Sequence, residues 1–204
     1  ILAELEDTLS PFEIARANRF ARPPLRDAYV AGRGMLRVLL ANEMGAAVDE
    51  VEIVPGVKEK PMLGGVGREK LHFNISHSGG YWLAGIGWYQ EIGVDIEAAR
   101  KMSDREDVAR RFFSEGEVAD LMSLPGEERV AAFYRCWTRK ESFLKATGEG
   151  LTYGLSRFRV SLLPGVPAAM LEMDGLPPSP DWRMRNLDLR PVASSERLFG
   201  AICW

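Results

Sequence analysis

The chain alternates twice between helix and strand, and that order limits its fold more than any other feature. Residues 25–45, LRDAYVAGRGMLRVLLANEMG, set Val30, Leu36, Leu39 and Leu40 at helical spacing and close on Gly45, which reads as a helix with a glycine stop. Strand-like runs follow: VEIVP, then LHFNIS after the glycine-rich loop MLGGVGREK, then YWLAGIGW and IGVDIE. The last two are parted by a short polar break, which predicts an antiparallel hairpin between them. SDRE (103–106) and SEGE (114–117) both match the capping-box pattern and predict two short helices. A long helix over about 128–147 is stopped by Gly148, and strands return in FRVSLLP, DWRMRNLDL and RLFGAICW around the proline-rich GLPPSP. Helix then strands, repeated, predicts an α+β fold. The apolar, Trp-ended runs 82–88 and 197–204 resemble each other, which predicts a pseudo-two-fold pair of similar α+β halves, 1–98 and 99–204, with a site in the cleft between them.

At 204 residues, 46% hydrophobic and 27% charged, the chain is large enough to bury a core. It holds no run near the roughly 20 apolar residues that a membrane span needs. Cys136 and Cys203 have no CxxC or metal-ligand spacing, and no basic-then-apolar leader opens the sequence, so a soluble protein of the reducing cytoplasm is expected. Ile1 in place of Met is expected to mean that native residues precede it. Charge is uneven: residues 11–37 carry six arginines against Glu13 and Asp27, whereas residues 91–128 carry eleven acids against five bases. One region suits anions and the other cations, although solvated helix faces would give the same pattern.

Alternate side chains of a strand share a face, so Asp95 and Glu97 project together, away from Val94 and Ile96. Two such carboxylates repel unless a cation lies between them, and hard divalent ions take oxygen ligands. The pair is therefore either a Mg²⁺ site or an exposed acidic strand end. WTRKESFLK offers a third ligand: Glu141 and Lys145 lie four apart on one helix face with Trp137 a turn earlier, an arrangement equally open to a surface ion pair. HFNISHSGG ends a strand in hydroxyls, an imidazole and two glycines, which suit phosphate oxygens, though His77 could be a structural histidine. Lys60 precedes Pro61, which restricts its backbone to extended forms.

Together these pieces resemble the 4'-phosphopantetheinyl transferase superfamily, in its larger, monomeric, surfactin-activating type. The family pattern is (I/V)G(I/V)D with an acid two residues on, a spacer, and (W/F)(S/C/T)xKE(S/A)xxK. Here IGVD, with Glu97 two residues on, is followed by the 41 residues 96–136 and then WTRKESFLK, with HFNISHSGG and the Lys60–Pro61 pair preceding in the family order. Glu59 departs from the glycine usual before Lys-Pro.

The resemblance implies two similar α+β halves with coenzyme A held between them. It implies that Asp95, Glu97 and Glu141 ligate Mg²⁺ (or Mn²⁺), with Asp95, Glu141 and Lys145 in catalysis and Lys145 on the diphosphate. Ser76 and His77 would hold phosphate groups. Lys60 and Pro61 would lie on the adenine and 3'-phosphate side, Arg33 would grip the 3'-phosphate, and Arg16 and Arg19 would assist. The implied reaction moves phosphopantetheine from coenzyme A to a serine of an acyl or peptidyl carrier protein and releases 3',5'-ADP. Arg110 and Arg111 beside Phe112 and Phe113 would face that carrier. A Mg²⁺-dependent phosphodiesterase would use the same acids but leaves the anion-holding groups unexplained. The acidic total gives no broad basic face for a nucleic acid. A coenzyme A-binding module without turnover is the third reading.

Overall fold

A computed structural model of the chain describes residues 1–56, 60–65, 70–150, 153–176, 179–191 and 196–204. Glu59, residues 66–69 of the glycine-rich loop and residues 177–178 of the proline-rich run lie outside these. The fold is α+β, and by compactness it divides into one unit of residues 1–55 and 61–71 and another of residues 56–60 and 72–204. The expected halves 1–98 and 99–204 are a division by internal likeness; compactness instead assigns the strands after residue 72 to the second unit.

In the first unit, helices α1 (Leu2–Glu6), α2 (Pro11–Ala17) and α3 (Pro23–Met44) precede a two-stranded ribbon of β1 (Ile53–Pro55) and β2 (Pro61–Leu63). Helix α2 opens on a capping box that the sequence reading missed, with Ser10 N donating to Glu13 Oε2 (2.8 Å) and Glu13 N to Ser10 Oγ (3.3 Å). Helix α3 starts on two prolines, whose missing N–H groups cost nothing in a first turn, and stops at Gly45 in the left-handed region (φ 61°). Its buried stripe includes Val30, Leu36, Leu40 and Ala41. Arg37 joins that stripe because its charge is met: it donates to Glu13 (3.0 Å) and to the Val51 carbonyl (2.7 Å).

In the second unit, β3 (Leu71–Ser78) and β4 (Tyr81–Trp88) are hydrogen-bonded neighbours joined by Gly79–Gly80. β5 (Gly93–Ala98) is followed by helices α4 (Arg105–Phe112), α5 (Glu115–Ser123) and α6 (Gly126–Thr147), an antiparallel pair β6 (Phe158–Val160) and β7 (Met170–Met173), and strands β8 (Met184–Asn186) and β9 (Leu198–Cys203). The expected hairpin of YWLAGIGW with IGVDIE is not formed. β5 pairs antiparallel with β9, Asp95 opposite Ala201, and β8 flanks β9 on its other side. Alternation marks a strand but not its partner, and here the partner lies a hundred residues on.

Of the two expected capping boxes, SEGE forms, with Ser114 extended (φ −67°, ψ 157°) and bonded reciprocally to Glu117. SDRE does not form. Helix α4 starts one residue later, with Asp104 at its N-cap in a conformation (φ −97°, ψ 15°) that makes no side-chain cap.

Helix α6 lies across β5 and β9. Its apolar face joins Phe133, Phe143 and Leu144 to Leu121, Phe158, Val160 and Leu162 in the core, and it ends at Gly148 (φ 70°). Inside this core, fully buried Lys140 meets fully buried Glu117 (2.8 Å) and the Leu155 carbonyl (2.6 Å), while Glu117 also accepts from Val160 N (2.7 Å). One buried ion pair thus ties α5, α6 and β6 together. Among the described residues, no helix is long and apolar enough to cross a membrane.

Candidate active site

β5 and α6 build the site, and a glycine lets them meet. A Cβ on Gly93 would stand 2.0 Å from the Ser142 carbonyl oxygen and 2.3 Å from Ala146 N, so only a residue without a side chain lets the strand lie this close to the helix backbone. That approach turns Glu141 and Lys145, which neighbour the two contact points, toward the acids of β5. Asp95, Glu97, Glu141 and Lys145 line one open cavity of about 420 Å³ together with Ile75, Ser76, His77 and Trp137.

Lys145 does not pair with Glu141 along the helix. Its ammonium crosses to Asp95 Oδ1 (2.7 Å) and Ser76 Oγ (2.9 Å). Ser76 in turn donates to Asp95 Oδ1 (2.9 Å). Asp95 is buried, 4% exposed, and its second oxygen, Oδ2, has no hydrogen-bond partner among the described residues. A buried carboxylate oxygen left so is costly unless something electropositive meets it.

All three carboxylates are harder to ionise than usual. Burial pushes Asp95 up against the pull of Lys145, and burial followed by the charge of Asp95 pushes Glu97 up despite its bond to Ser78. Glu141 rises most, to about 7, through burial and the charges of Asp95 and Glu97. Three acids on one cavity, two of them raised by the charge of Asp95, around an oxygen without a partner among the described residues, are groups that could hold a hard divalent cation. As the side chains stand, no three of the His, Cys, Asp and Glu residues among those described are gathered closely enough to hold an ion. Mutual repulsion of three carboxylates works against such gathering, and the Lys145 ammonium already engages one of Asp95's oxygens.

The sequence profile described as the 4'-phosphopantetheinyl transferase superfamily matches residues 91–195, and that described as 4'-phosphopantetheinyl transferase, N-terminal, matches residues 2–85. The chain is 40% identical to the 4'-phosphopantetheinyl transferase HetI of Nostoc sp. over 187 residues, which is 91% of this chain and 76% of HetI. The chain belongs to the 4'-phosphopantetheinyl transferase superfamily. It is also similar to the 4'-phosphopantetheinyl transferase Sfp of Bacillus subtilis, at 31% identity over 76% of this chain and 66% of Sfp. A human relative, L-aminoadipate-semialdehyde dehydrogenase-phosphopantetheinyl transferase, is 29% identical over 77% of this chain and 54% of its own.

Of the other residues expected to serve a phosphopantetheinyl transferase, His77, Lys60 and Arg33 already have partners. His77 is exposed and stacks on Trp82, ring centroids 5.9 Å apart. Lys60 donates to Glu91 Oε2 (2.6 Å) and to the Ala146 carbonyl at the end of α6 (2.9 Å), next to Lys145. Pro61 opens β2. In the first unit, Arg33 is bonded to Glu13. Burial alone would raise Glu13's pKa, but the Ser10 backbone N–H with Arg33 and Arg37 outweighs it and holds the carboxyl below its ordinary value. Arg16 and Arg19 line a separate hollow with Phe12, Ala15 and Phe20. In the segment expected to face a carrier, Phe113 is core and Phe112, Arg110 and Arg111 are exposed. The sequence reading took HFNISHSGG as a phosphate-holding turn and missed Asn74 and Ser78 as side chains that hold β5. Their alternation with Ser76 along β3 was the available signal.

Proposed function

We propose that this protein moves the 4'-phosphopantetheine group from coenzyme A to a serine of an apo acyl or peptidyl carrier protein and releases 3',5'-ADP. The observation that carries the reading is the convergence of Asp95, Glu97, Glu141 and Lys145 on one cavity, with Asp95 Oδ2 buried and without a partner among the described residues. Similarity to named phosphopantetheinyl transferases over most of the chain supports it.

In this proposal the carrier serine oxygen bonds to the β-phosphorus of coenzyme A as the diphosphate bridge breaks, and 3',5'-ADP leaves with the bridging oxygen. Glu141, which lines the cavity beside Asp95, takes the serine proton, directly or through a water. Lys145 moves from Asp95 to the diphosphate oxygens, where a compact ammonium offsets charge on the leaving group. A divalent ion, Mg²⁺ or Mn²⁺, held by Asp95, Glu97 and Glu141 supplies further neutralisation of the diphosphate when bound. In this scheme Ser76 and His77 hold phosphate groups of coenzyme A, Lys60 and Pro61 lie on the adenine and 3'-phosphate side, Arg33 grips the 3'-phosphate, and Arg16 and Arg19 assist. The proposal includes a monomer of the surfactin-activating type, built of two similar halves, 1–98 and 99–204, and working in the cytoplasm; the buried, unlinked Cys136 and Cys203 fit a reducing compartment.

The test is to incubate the protein with coenzyme A, Mg²⁺ and an apo carrier protein and to weigh the carrier. A mass gain of one phosphopantetheine supports transfer. Hydrolysed coenzyme A with an unchanged carrier would replace it with a phosphodiesterase, and neither change would leave a binding module. Asp95→Ala should abolish transfer even at high Mg²⁺.

A further inference from the structure

β5 is an edge strand: one side of its backbone pairs with β9, and the opposite side faces no strand ladder. Its outward N–H groups are nonetheless met. Val94 N donates to Asn74 Oδ1 (2.9 Å), Ile96 N to Ser76 Oγ (3.3 Å) and Ala98 N to Ser78 Oγ (3.1 Å). The partners advance by two on both strands, so β3 runs alongside β5 in the same direction and offers side-chain oxygens where a neighbouring strand would offer carbonyls.

The two serines do more than fill the edge. A hydroxyl has one proton to give, and accepting from the backbone leaves that proton to be aimed elsewhere. Ser76 aims it at Asp95 Oδ1 (2.9 Å) and Ser78 at Glu97 Oε2 (2.8 Å). Each serine thus bridges an acid to the backbone N–H of the residue after it. Asp95 has Lys145 as a second anchor. Glu97 has no salt bridge among the described residues, so Ser78 is the contact that fixes its carboxylate.

We propose that Ser78 is a positioning residue for Glu97, setting the affinity of the acid cluster for its divalent ion by holding one carboxylate oxygen against β5. This rests on the metal role given to Glu97 under the proposed function. Ser78 touches neither coenzyme A nor carrier in that scheme, so its effect is confined to the metal.

The experiment measures Mn²⁺ binding by calorimetry to the protein without coenzyme A, alongside kcat and the KM for Mg²⁺ and for coenzyme A. Ser78→Ala should weaken Mn²⁺ about 10-fold and raise the KM for Mg²⁺ similarly, while at saturating Mg²⁺ the KM for coenzyme A stays put. In a Glu97→Gln background, Ser78→Ala should weaken Mn²⁺ no further. Should Ser78→Ala not fold, Ser78→Thr against its isostere Ser78→Val makes the same comparison: Thr keeps wild-type affinity and Val loses it. If Glu97→Gln weakens Mn²⁺ and Ser78→Ala or Ser78→Val does not, the positioning role is overturned and the metal assignment stands. An equal loss with and without Glu97 also overturns it, because the effect then runs through the strand edge. If Glu97→Gln itself leaves Mn²⁺ binding unchanged, both ideas fall together.

Discussion

Gly93→Ala perturbs the site without touching any group that does chemistry. The added methyl would start 2.0 Å from the Ser142 carbonyl oxygen and 2.3 Å from Ala146 N, both backbone atoms of α6 that cannot rotate away. Non-bonded carbon rests at about 3.5–4.0 Å from its neighbours, so strand and helix must part by on the order of 1 Å. Overpacking of this kind costs about 1–3 kcal/mol, which for a chain of this size lowers Tm by about 2–12 °C. The larger effect falls on catalysis. The two clashing residues adjoin Glu141 and Lys145, so the displacement carries both away from Asp95, and a misplacement of about 1 Å costs about 100-fold in rate. Transfer kinetics with a carrier protein, read beside thermal unfolding, test this. Gly126→Ala is the control, since a Cβ at that other end of α6 meets nothing within 4 Å. Gly93→Ala with kcat/KM close to wild type would refute the reasoning, and a fall in Tm alone would show that the contact is packing and does not set the site.

Lys140→Met should leave Glu117 buried without its cation and lower the unfolding free energy by about 3–5 kcal/mol, measured in urea; a loss under about 1 kcal/mol would mean that the pair contributes no more than a surface one. Glu141 is raised from 4.5 to about 7 in the folded protein, so the folded state holds its proton more tightly than the unfolded chain does. The stability it contributes is full below about pH 4.5 and is lost as pH rises to about 7. Glu141→Gln should therefore flatten the metal-free stability curve across that window, and Mg²⁺ should raise Tm more at pH 7.5 than at pH 5; parallel curves for wild type and variant would contradict this. Arg110→Glu should raise the KM for the carrier protein and leave that for coenzyme A unchanged, and equal changes in both would remove the docking role.

Two kinds of information were legible in the chain. Local chemistry was one: the glycine stops of α3 and α6, the SEGE box and the shared face of Asp95 and Glu97 depend on residues within a few positions of each other. The other was the spacing of acids that ended on one cavity. What the sequence concealed required knowing which distant groups meet. TRKES looks like a run made for water, yet Thr138, Arg139, Lys140 and Ser142 are all fully buried, because Glu117, the carbonyls of Leu155 and Phe158, and the Ser161 and Asn186 side chains come to meet the charges.

HFNISHSGG hid its role in the same way. Its hydroxyls, imidazole and glycines read as groups for a ligand's phosphates, and alternation alone could not say that Asn74, Ser76 and Ser78 would turn inward to β5 while His77 turned outward. The inward set fixes the strand that carries the acids, and the outward histidine remains available to a ligand. In the proposed scheme, a strand that splits its polar residues this way braces the acids given to the metal with one face and meets coenzyme A with the other. Replacing a serine and replacing His77 should therefore damage the enzyme in different ways, the first through the ion and the second through coenzyme A.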